Sequence, residues 1–266
     1  MPDTLTLKVM GKTSGCKAQS SGEGFVLMVY DPPYQAGDAI VLETERQGTY
    51  CVIQLEDTKA PALVYIPGQR MTYPIPSENA RINHSPRSFT GSRHLIHARL
   101  ASQQEIACRR NLALNPYDSH ESEGLYPHAS ANVETRGELV FAACNAIDGF
   151  YENTSHGMWP YQSWGINRDP NATMLLEFGR PVLLDELRLT LRADFPHDSW
   201  WTSAMVTFSD DSTEVLSLGK SGQPQRFPIK PRCVEWLRLE HLIKANDDSP
   251  FPALTQIEAW GTEGDR

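Results

Sequence analysis

The chain has 266 residues and carries 24 Lys and Arg against 33 Asp and Glu, a formal net charge of −9. The net charge is negative and the sequence has no cluster of Lys and Arg. Nucleic acid is therefore excluded as the main partner, because neutralising phosphates requires grouped basic residues. A content of 40% hydrophobic and 21% charged residues supports a buried core, so disorder of the whole chain is excluded as well.

The hydropathy pattern and the first residues predict a cytoplasmic protein with no membrane partner. No apolar run approaches the roughly 20 residues that a membrane helix requires. The start of the chain, MPDTLTLKVM, lacks the charged region, apolar stretch and cleavage site of a signal peptide. The five cysteines are odd in number, widely spaced and without a CxxC pair, which favours reduced thiols over a disulfide or zinc framework.

Charge and tryptophan are unevenly distributed, and this predicts two domains. Residues 1–100 are nearly neutral, with 10 basic and 9 acidic residues, whereas residues 101–266 hold 14 and 24. All six tryptophans also lie in the second part. Since a domain averages roughly 150 residues, we predict a smaller β-rich domain over 1–100, a connector over 101–110 and a second domain over 111–266.

The pattern of apolar and turn-forming residues over 1–100 predicts short strands separated by turns. Leu5, Leu7 and Val9 alternate with polar residues, which is the period of a half-buried strand. Residues 24–30 (GFVLMVY) are apolar throughout and predict a strand that is buried on both faces. The loop at 46–48 (RQG) between two β-rich runs predicts a hairpin. Further strands are predicted over 39–45, 49–55, 62–66, 71–75 and 93–100.

A single short helix is predicted as the connector, over 102–110. Ser102 is suited to the N-cap, and Glu105 follows at the spacing of a capping box. Arg109 and Arg110 stand at the expected carboxyl end, where cations favour the helix dipole. Beyond the helix, short alternating strands resume over 174–178, 184–191, 205–208, 234–239 and 255–260. The whole chain is therefore predicted to be all-β, with a sandwich in its second part.

Six short segments of the second part follow one another in an order typical of one family. They are NLALN at 111–115, a strand at 129–133, AACNAIDG at 142–149, LLEFGRP at 175–181, AMVTFSDDS at 204–212 and LTQIEAWG at 254–261. Through this ordered set, residues 111–263 resemble the discoidin, or F5/8 type C, family of galactose-binding-like jelly rolls, which includes many carbohydrate-binding modules. Residues 1–100 show no such resemblance. The resemblance implies an eight-stranded antiparallel sandwich that binds ligands through loops at one end.

The resemblance also implies a structural Ca²⁺ near the Asp-Gly loop. Asp148 stands at the family's Asp-Gly position, Asn153 and Thr154 follow it in the loop, and Gln256 stands where the closing strand of the family often has a Glu. Calcium takes six to eight oxygen ligands, and a neutral Gln would bind it less strongly than a carboxylate. The alternative is that Asp148 forms an Asx-turn ahead of Gly149.

Two loops combine aromatic, histidine and charged side chains as sugar sites do, with rings against C–H faces and planar polar groups against hydroxyls. The candidate ligand-binding residues are His156, Trp159 and Arg168 in the first loop, and His197, Asp198, Trp200 and Trp201 in the second. Neighbouring residues of a strand point to opposite faces, so one of the two adjacent tryptophans is expected in the core and the other free. Each of these side chains could instead be structural or simply solvated.

The sequence therefore predicts a non-catalytic protein that binds carbohydrate at one end of a jelly roll. Gly-x-Ser-x-Gly, HExxH, a P-loop and GxGxxG are all missing from the sequence. One alternative is a glycoside-active enzyme with a carboxylate pair, either Asp194 with Asp198 or Asp148 with Glu152. Another alternative is an interaction module, in which exposed strand edges of residues 1–100 mediate a homo-oligomer.

Overall fold

The computed structural model describes residues 3–153, 159–192 and 199–264. The chain divides into two compact units, and it crosses between them more than once: the first unit comprises the chain up to 106 together with 115–126, and the second comprises 107–114 and the chain from 127 onward. No helix in the described ranges is long and apolar enough to cross a membrane. The five cysteines form no disulfide.

The boundary between the units differs from the predicted one because residues 115–126 return to the first unit. Tyr126 exchanges two backbone hydrogen bonds with Tyr65, and Glu123 does the same with Thr72. Tyr117 is fully buried in the core of the first unit. Backbone pairing and burial hold this segment there, although it lies beyond the predicted connector.

The first unit contains two four-stranded antiparallel sheets around one apolar core. Its strands are β1 (Thr4–Gly11), β2 (Gly15–Glu23), β3 (Phe25–Tyr30), β4 (Ala39–Thr44), β5 (Thr49–Gln54), β6 (Ala62–Ile66), β7 (Arg70–Pro74) and β8 (His94–Leu100), with a 3₁₀ helix at Glu78–Asn83. The sheet orders are β2-β1-β4-β7 and β3-β8-β5-β6. Leu5, Leu7 and Val9 are fully buried, as their alternation predicts.

Two predictions about the first unit are wrong. The loop at 46–48 joins no hairpin, because β4 pairs with β1 and β7 while β5 pairs with β6 and β8, so neither strand has an edge left for the other. The strand at 24–30 is not buried on both faces. Phe25, Leu27 and Val29 are 45–49% exposed, whereas the residues between them face the core.

The predicted helix between the domains is present but shorter, as α1 (Gln103–Ala107). Its capping box is confirmed: the Glu105 backbone N–H donates to Ser102 Oγ at 3.2 Å, and the Ser102 backbone N–H donates to Glu105 Oε2 at 2.9 Å. Hydrogen bonds from Ser102 and Arg99 lower the pKa of Glu105 to about 2, and the largest contribution comes from Arg99.

The second unit contains one extended antiparallel sheet system that closes around a second core. Its strands are β9 (Arg110–Asn111), β10 (His128–Ala131), β11 (Trp164–Gly165), β12 (Met174–Leu191), β13 (Trp201–Phe208), β14 (Thr213–Ser217), β15 (Gln225–Lys244) and β16 (Ala253–Glu263), with 3₁₀ helices at Thr135–Gly137, Leu139–Phe141 and Ala143–Ile147. The main strand order is β11-β16-β12-β15-β13-β14, with β10 beside β12 and β9 beside β16.

The long strand β12 joins two segments that the sequence predicts as separate strands. Its pairing with β15 shifts register between Glu177 and Val182. Gly179 lies in this interval with a φ of 69°, a conformation that glycine adopts without strain. The register shift lets the two halves of one strand pair with different neighbours, β10 on one side and β16 on the other. The predicted all-β fold, with a smaller β-rich unit before an antiparallel sandwich, is confirmed.

Candidate functional site

Strand register brings several loops together at one end of the second unit. Because β12 and β16 run antiparallel with Leu191 opposite Leu254, the end of β12 lies beside the start of β16. Trp164 also pairs with Leu254, and Gly165 pairs with Ala253, so the chain leaving β11 lies at the same end. Loops that are distant in sequence therefore meet here.

These loops enclose a cavity of about 680 Å³, which is within the usual range for a small-molecule site. The lining residues come from five segments: Thr135, Arg136 and Phe141; Tyr161; Gly165, Ile166, Asn167 and Arg168; Arg192; and residues 248–253. We call this cavity the loop-end pocket. Three aromatic rings and three guanidinium groups lie among its lining residues.

Backbone hydrogen bonds fix the walls of the loop-end pocket. The Asn167 N–H donates to Thr135 Oγ1 at 3.0 Å, and the Arg192 N–H donates to the Ala253 carbonyl at 3.0 Å. Gly165 lies where the walls are closest, since a Cβ atom at this position would lie 2.6 Å from Thr135 Oγ1. The packing therefore leaves no room for a side chain at Gly165.

Guanidinium groups stack on the aromatic rings of the pocket. Arg192 Cζ lies 3.5 Å from the centroid of the Tyr161 ring, and Arg168 Cζ lies 4.5 Å from that of Phe251. Such stacking holds both groups of each pair in a defined orientation. Arg192 is almost fully buried, whereas Phe251 is 41% exposed. The exposed phenylalanine ring and the adjacent Arg168 can both contact a ligand.

The third guanidinium of the pocket is neutralised by a neighbour. Arg136 makes two hydrogen bonds to Glu138, at 2.6 and 2.7 Å. The hydrogen bonds and the charge of Arg136 lower the pKa of Glu138, so the pair stays ionised across the neutral range. Arg136 Cζ also lies 5.4 Å from the Phe141 ring centroid, which places this side chain along the pocket wall.

Of the predicted ligand-binding residues, the loop-end pocket includes Arg168. Trp159 is half-buried and packs edge-on against Phe150, with ring centroids 5.5 Å apart, and it does not line the pocket. His156, His197 and Asp198 lie outside the described residues.

One of the two adjacent tryptophans lies in the core, as predicted, but the other is not free. Trp201 is fully buried in the core, 6.3 Å from the ring centroid of the equally buried Trp164. Trp200 is partly buried and packs against the same core. Neither ring lines the loop-end pocket, and the prediction of Trp201 as a ligand residue is contradicted by its burial.

Several pocket residues were absent from the predicted site: Arg136, Phe141, Tyr161, Asn167, Arg192 and Phe251. Tyr161 and Asn167 lie inside the first predicted loop, but the other residues are spread over more than 100 positions. One local signal was present. Phe251 stands between two prolines, immediately before the closing strand, where an aromatic ring is held in a loop and away from the core.

A smaller cavity of about 490 Å³ lies elsewhere on the second unit, beside Tyr151, Glu258 and Trp260. The Trp260 indole in this cavity already contacts side chains of the chain itself. The Trp260 Nε1–H donates to Glu258 Oε2 at 2.6 Å, and the Arg188 guanidinium lies 4.3 Å from the ring centroid. Burial and the neighbouring Glu258 raise the pKa of Tyr151. This cavity offers less unused recognition chemistry than the loop-end pocket.

The Asp-Gly loop is held by side-chain amides. Asp148 Oδ1 accepts from the Phe150 N–H and from Gln256 Nε2, both at 2.8 Å, and Asp148 Oδ2 accepts from Gln162 Nε2 at 2.7 Å. The bond to Phe150 is an Asx-turn, and Gly149 after it has a φ of 83°. The alternative role given to Asp148 in the sequence is therefore present.

The calcium ion stays a prediction: of its predicted ligands, Asp148 and Gln256 contact each other, whereas Asn153 is bonded elsewhere. Asn153 uses its Nδ2 to donate to the carbonyls of Leu191 and Gly222, at 3.2 and 2.6 Å. Thr154 lies outside the described residues. Within residues 3–153, 159–192 and 199–264, no group of three or more His, Cys, Asp or Glu is placed to hold a metal ion.

No family model matches the chain, and a search of curated proteins finds no match either. Among solved structures, the chain is similar to chitosan-binding module 1 of a chitosanase/glucanase from Paenibacillus sp. IK-5, with 18% identity and a TM-score of 0.39, over 57% of this chain and 99% of that one. It is similar to a family 32 carbohydrate-binding module of C. perfringens NanJ solved with galactose, with 13% identity and a TM-score of 0.38, over 50% and 91%. It is also similar to the lectin domain of lectinolysin solved with Lewis B antigen, with 14% identity and a TM-score of 0.44, over 57% and 97%. At such low identities and TM-scores, the similarity assigns no ligand to this chain.

Proposed function

We propose that the second unit binds carbohydrate, without catalysis, in the loop-end pocket. One observation carries this proposal: an open cavity of small-molecule size has an exposed aromatic ring, Phe251, beside the Arg168 guanidinium. The ring offers an apolar face to the C–H groups of a sugar. The guanidinium offers up to five N–H donors in one plane, which suits neighbouring hydroxyl oxygens.

The pocket is formed by loops on a rigid sandwich, which limits the entropy lost on binding. Arg192 and Tyr161 are stacked on each other, and the Arg192 backbone is bonded to the start of β16. A wall that is already ordered does not have to be fixed by the ligand, so more of the contact energy appears as affinity.

The test is a screen of neutral and acidic glycans on the full chain, followed by calorimetric titration of the best binder. Arg168→Ala and Phe251→Ala are each expected to weaken binding at least roughly tenfold, equivalent to about 1.4 kcal/mol. The matched controls are Arg238→Ala, which removes a guanidinium lying over Trp236 outside the pocket, and Leu183→Ala, which removes an equally exposed apolar side chain.

If all four variants bind the glycan equally well, the sugar binds outside the loop-end pocket. If the unmodified chain binds no glycan, the proposal is refuted. The non-catalytic part has its own measurement, which is the release of reducing sugar from the best binder. The Asp148 carboxylate of one nominated pair already accepts three hydrogen bonds, which leaves little capacity for proton transfer.

We propose self-association as a second role, carried by the first unit. Its supporting observation is a stripe of exposed apolar side chains on neighbouring strands, made by Phe25, Leu27 and Val29 of β3 with Leu95 of β8. Apolar side chains grouped in this way on a sheet mark a contact surface more often than isolated ones do. Light scattering of the full chain is expected to give a mass above that of one copy, and Leu27→Lys to restore the single-copy mass. A single-copy mass for the unmodified chain would remove this role.

A further inference from the structure

The Gln256 side chain lies at the centre of a cluster of oxygen atoms next to the Asp-Gly loop. Its Nε2 is 2.8 Å from the Asn145 carbonyl, 2.8 Å from Asp148 Oδ1 and 3.0 Å from the Phe150 carbonyl. The carbonyl of the preceding residue, Thr255, is 2.6 Å away. An amide nitrogen carries two hydrogens, so four oxygens surround two donors.

The orientation of this amide is fixed at its other end. Gln256 Oε1 accepts the backbone N–H of Gly149 at 3.0 Å. If the amide turned over, its NH₂ group would face the Gly149 N–H, two donors would be opposed, and the four oxygens would face another oxygen. Gln256 is 2% exposed, so water does not compete for these bonds.

A cluster of oxygens around one positive group is also the arrangement that a hard cation needs. Calcium binds six to eight oxygens at about 2.3–2.6 Å, and the Gln256 nitrogen occupies the position from which an ion would reach these four. The residues present therefore do not fit calcium as long as this amide stays in place. The partial positive charges on the amide N–H hydrogens contact these oxygens in place of an ion, although the amide as a whole is neutral.

The geometry points to Gln256 as an amide that takes the place of a cation, so that the Asp-Gly loop folds without metal. The same geometry implies that a single change of amide to carboxylate, Gln256→Glu, creates a calcium site. In that variant the two N–H donors are lost and two carboxyl groups face each other across the cluster, so the oxygens need either a bound cation or a proton shared between the carboxyls.

The Gln256 amide also connects the Asp-Gly loop to the loop-end pocket. Asp148, which it holds, accepts a hydrogen bond from Gln162, and Gln162 stands directly after Tyr161 of the pocket wall. Asn145, whose carbonyl is another acceptor of this amide, donates through its own Nδ2 to the Ser163 carbonyl at 3.3 Å. Gln256 is thus a positioning residue for the segment that carries Tyr161, and this positioning requires no ion.

The experiment measures melting temperature and calcium binding on the full chain, with EDTA or with CaCl₂ at increasing concentration. For the unmodified chain, we expect the same Tm in EDTA and in calcium, and no heat of binding in calorimetric titration with CaCl₂. For Gln256→Glu, we expect a low Tm in EDTA that rises by roughly 3–6 °C for each tenfold increase in calcium above the dissociation constant. Magnesium is expected to be less effective, because it requires stricter octahedral geometry.

The matched control is Gln225→Glu. Gln225 also bridges a backbone N–H and a carbonyl, both from Gly219, but it is only partly buried, and its amide nitrogen donates to that one carbonyl. Its Tm is expected to be independent of calcium. A Tm of the unmodified chain that rises with calcium would overturn the inference, and so would a folded Gln256→Glu variant whose Tm ignores calcium. If that variant does not fold in either condition, the unmodified chain in EDTA and calcium still decides whether the loop needs a metal.

Discussion

Truncation of Trp201 tests whether this side chain stabilises the core or binds a ligand. Trp201 is fully buried against Trp164, so Trp201→Ala removes a large side chain from the core and is expected to cost about 3–5 kcal/mol. For a unit of this length, each kcal/mol shifts Tm by roughly 2–4 °C. The Tm of the second unit is therefore expected to fall by about 6–20 °C.

A second substitution at the same position sharpens the test. The Trp201 Nε1 is buried without a hydrogen-bond partner among the described residues, a state that costs about 1–3 kcal/mol. Trp201→Phe loses apolar contact but also removes this unsatisfied donor. The two effects have opposite signs and similar size, so this variant is expected to cost less than about 2 kcal/mol.

Differential scanning calorimetry of the full chain is the appropriate assay, because the two units can melt in separate transitions. Trp236→Ala, on the half-buried outer face of β15, serves as the control and is expected to shift Tm only slightly. A Trp201→Phe variant as unstable as Trp201→Ala would show that the indole N–H has a partner. A stable Trp201→Ala variant that loses sugar binding would refute the core role altogether.

Three further outcomes follow from the second unit. Gly165→Ala is expected to displace Thr135 from Asn167 and to weaken glycan binding more than it lowers Tm, as titration and melting of the same sample would show. Gly261→Ala places a Cβ 2.0 Å from the Leu183 carbonyl, so it is expected to separate β16 from β12 and to lower Tm strongly, unlike Gly219→Ala, where the nearest atom is 3.5 Å away. Hydrogen bonds, first from Arg226 and then from Arg188, hold the pKa of Glu186 at about 2, against about 4.3 in an unfolded chain. This carboxylate therefore stabilises the fold above about pH 4.3, and that stability is lost as the pH falls towards 2. Glu186→Gln should be less stable at pH 7 and should lose less Tm than the unmodified chain between pH 5 and pH 2.5.

Local sequence patterns predict where the strands of this chain lie better than they predict which strands pair with each other. Leu5, Leu7 and Val9 are buried as their alternation predicts, and the capping box of Ser102 and Glu105 is formed. The predicted hairpin at 46–48 does not form, because both edges of β4 and of β5 are paired with other strands. A turn-forming loop cannot show which partners its flanking strands will find, since those partners lie tens of residues away.

The same limit explains why the pocket could be predicted only in part. Arg168 was identified from its loop, but Arg192 and Phe251 reach the pocket because β12 and β16 pair with Leu191 opposite Leu254. That register is a property of the whole sheet and not of any one segment. The family resemblance does group Asp148 with Gln256, and the two side chains are in contact in the structure.

Tryptophan content proved a weak guide to the site, and the reason is the geometry of a sandwich. Packed sheets lie roughly 10 Å apart, and large rings such as Trp164 and Trp201 fill that space. Outside the core, a tryptophan on a strand is covered by neighbouring long side chains, as Trp260 is by Arg188. Phe251 instead stands on a loop beyond the strand ends, between two prolines, and its ring remains 41% exposed. For these rings of the second unit, position relative to the strand ends, more than residue type, therefore decides whether the ring is covered or open to a ligand.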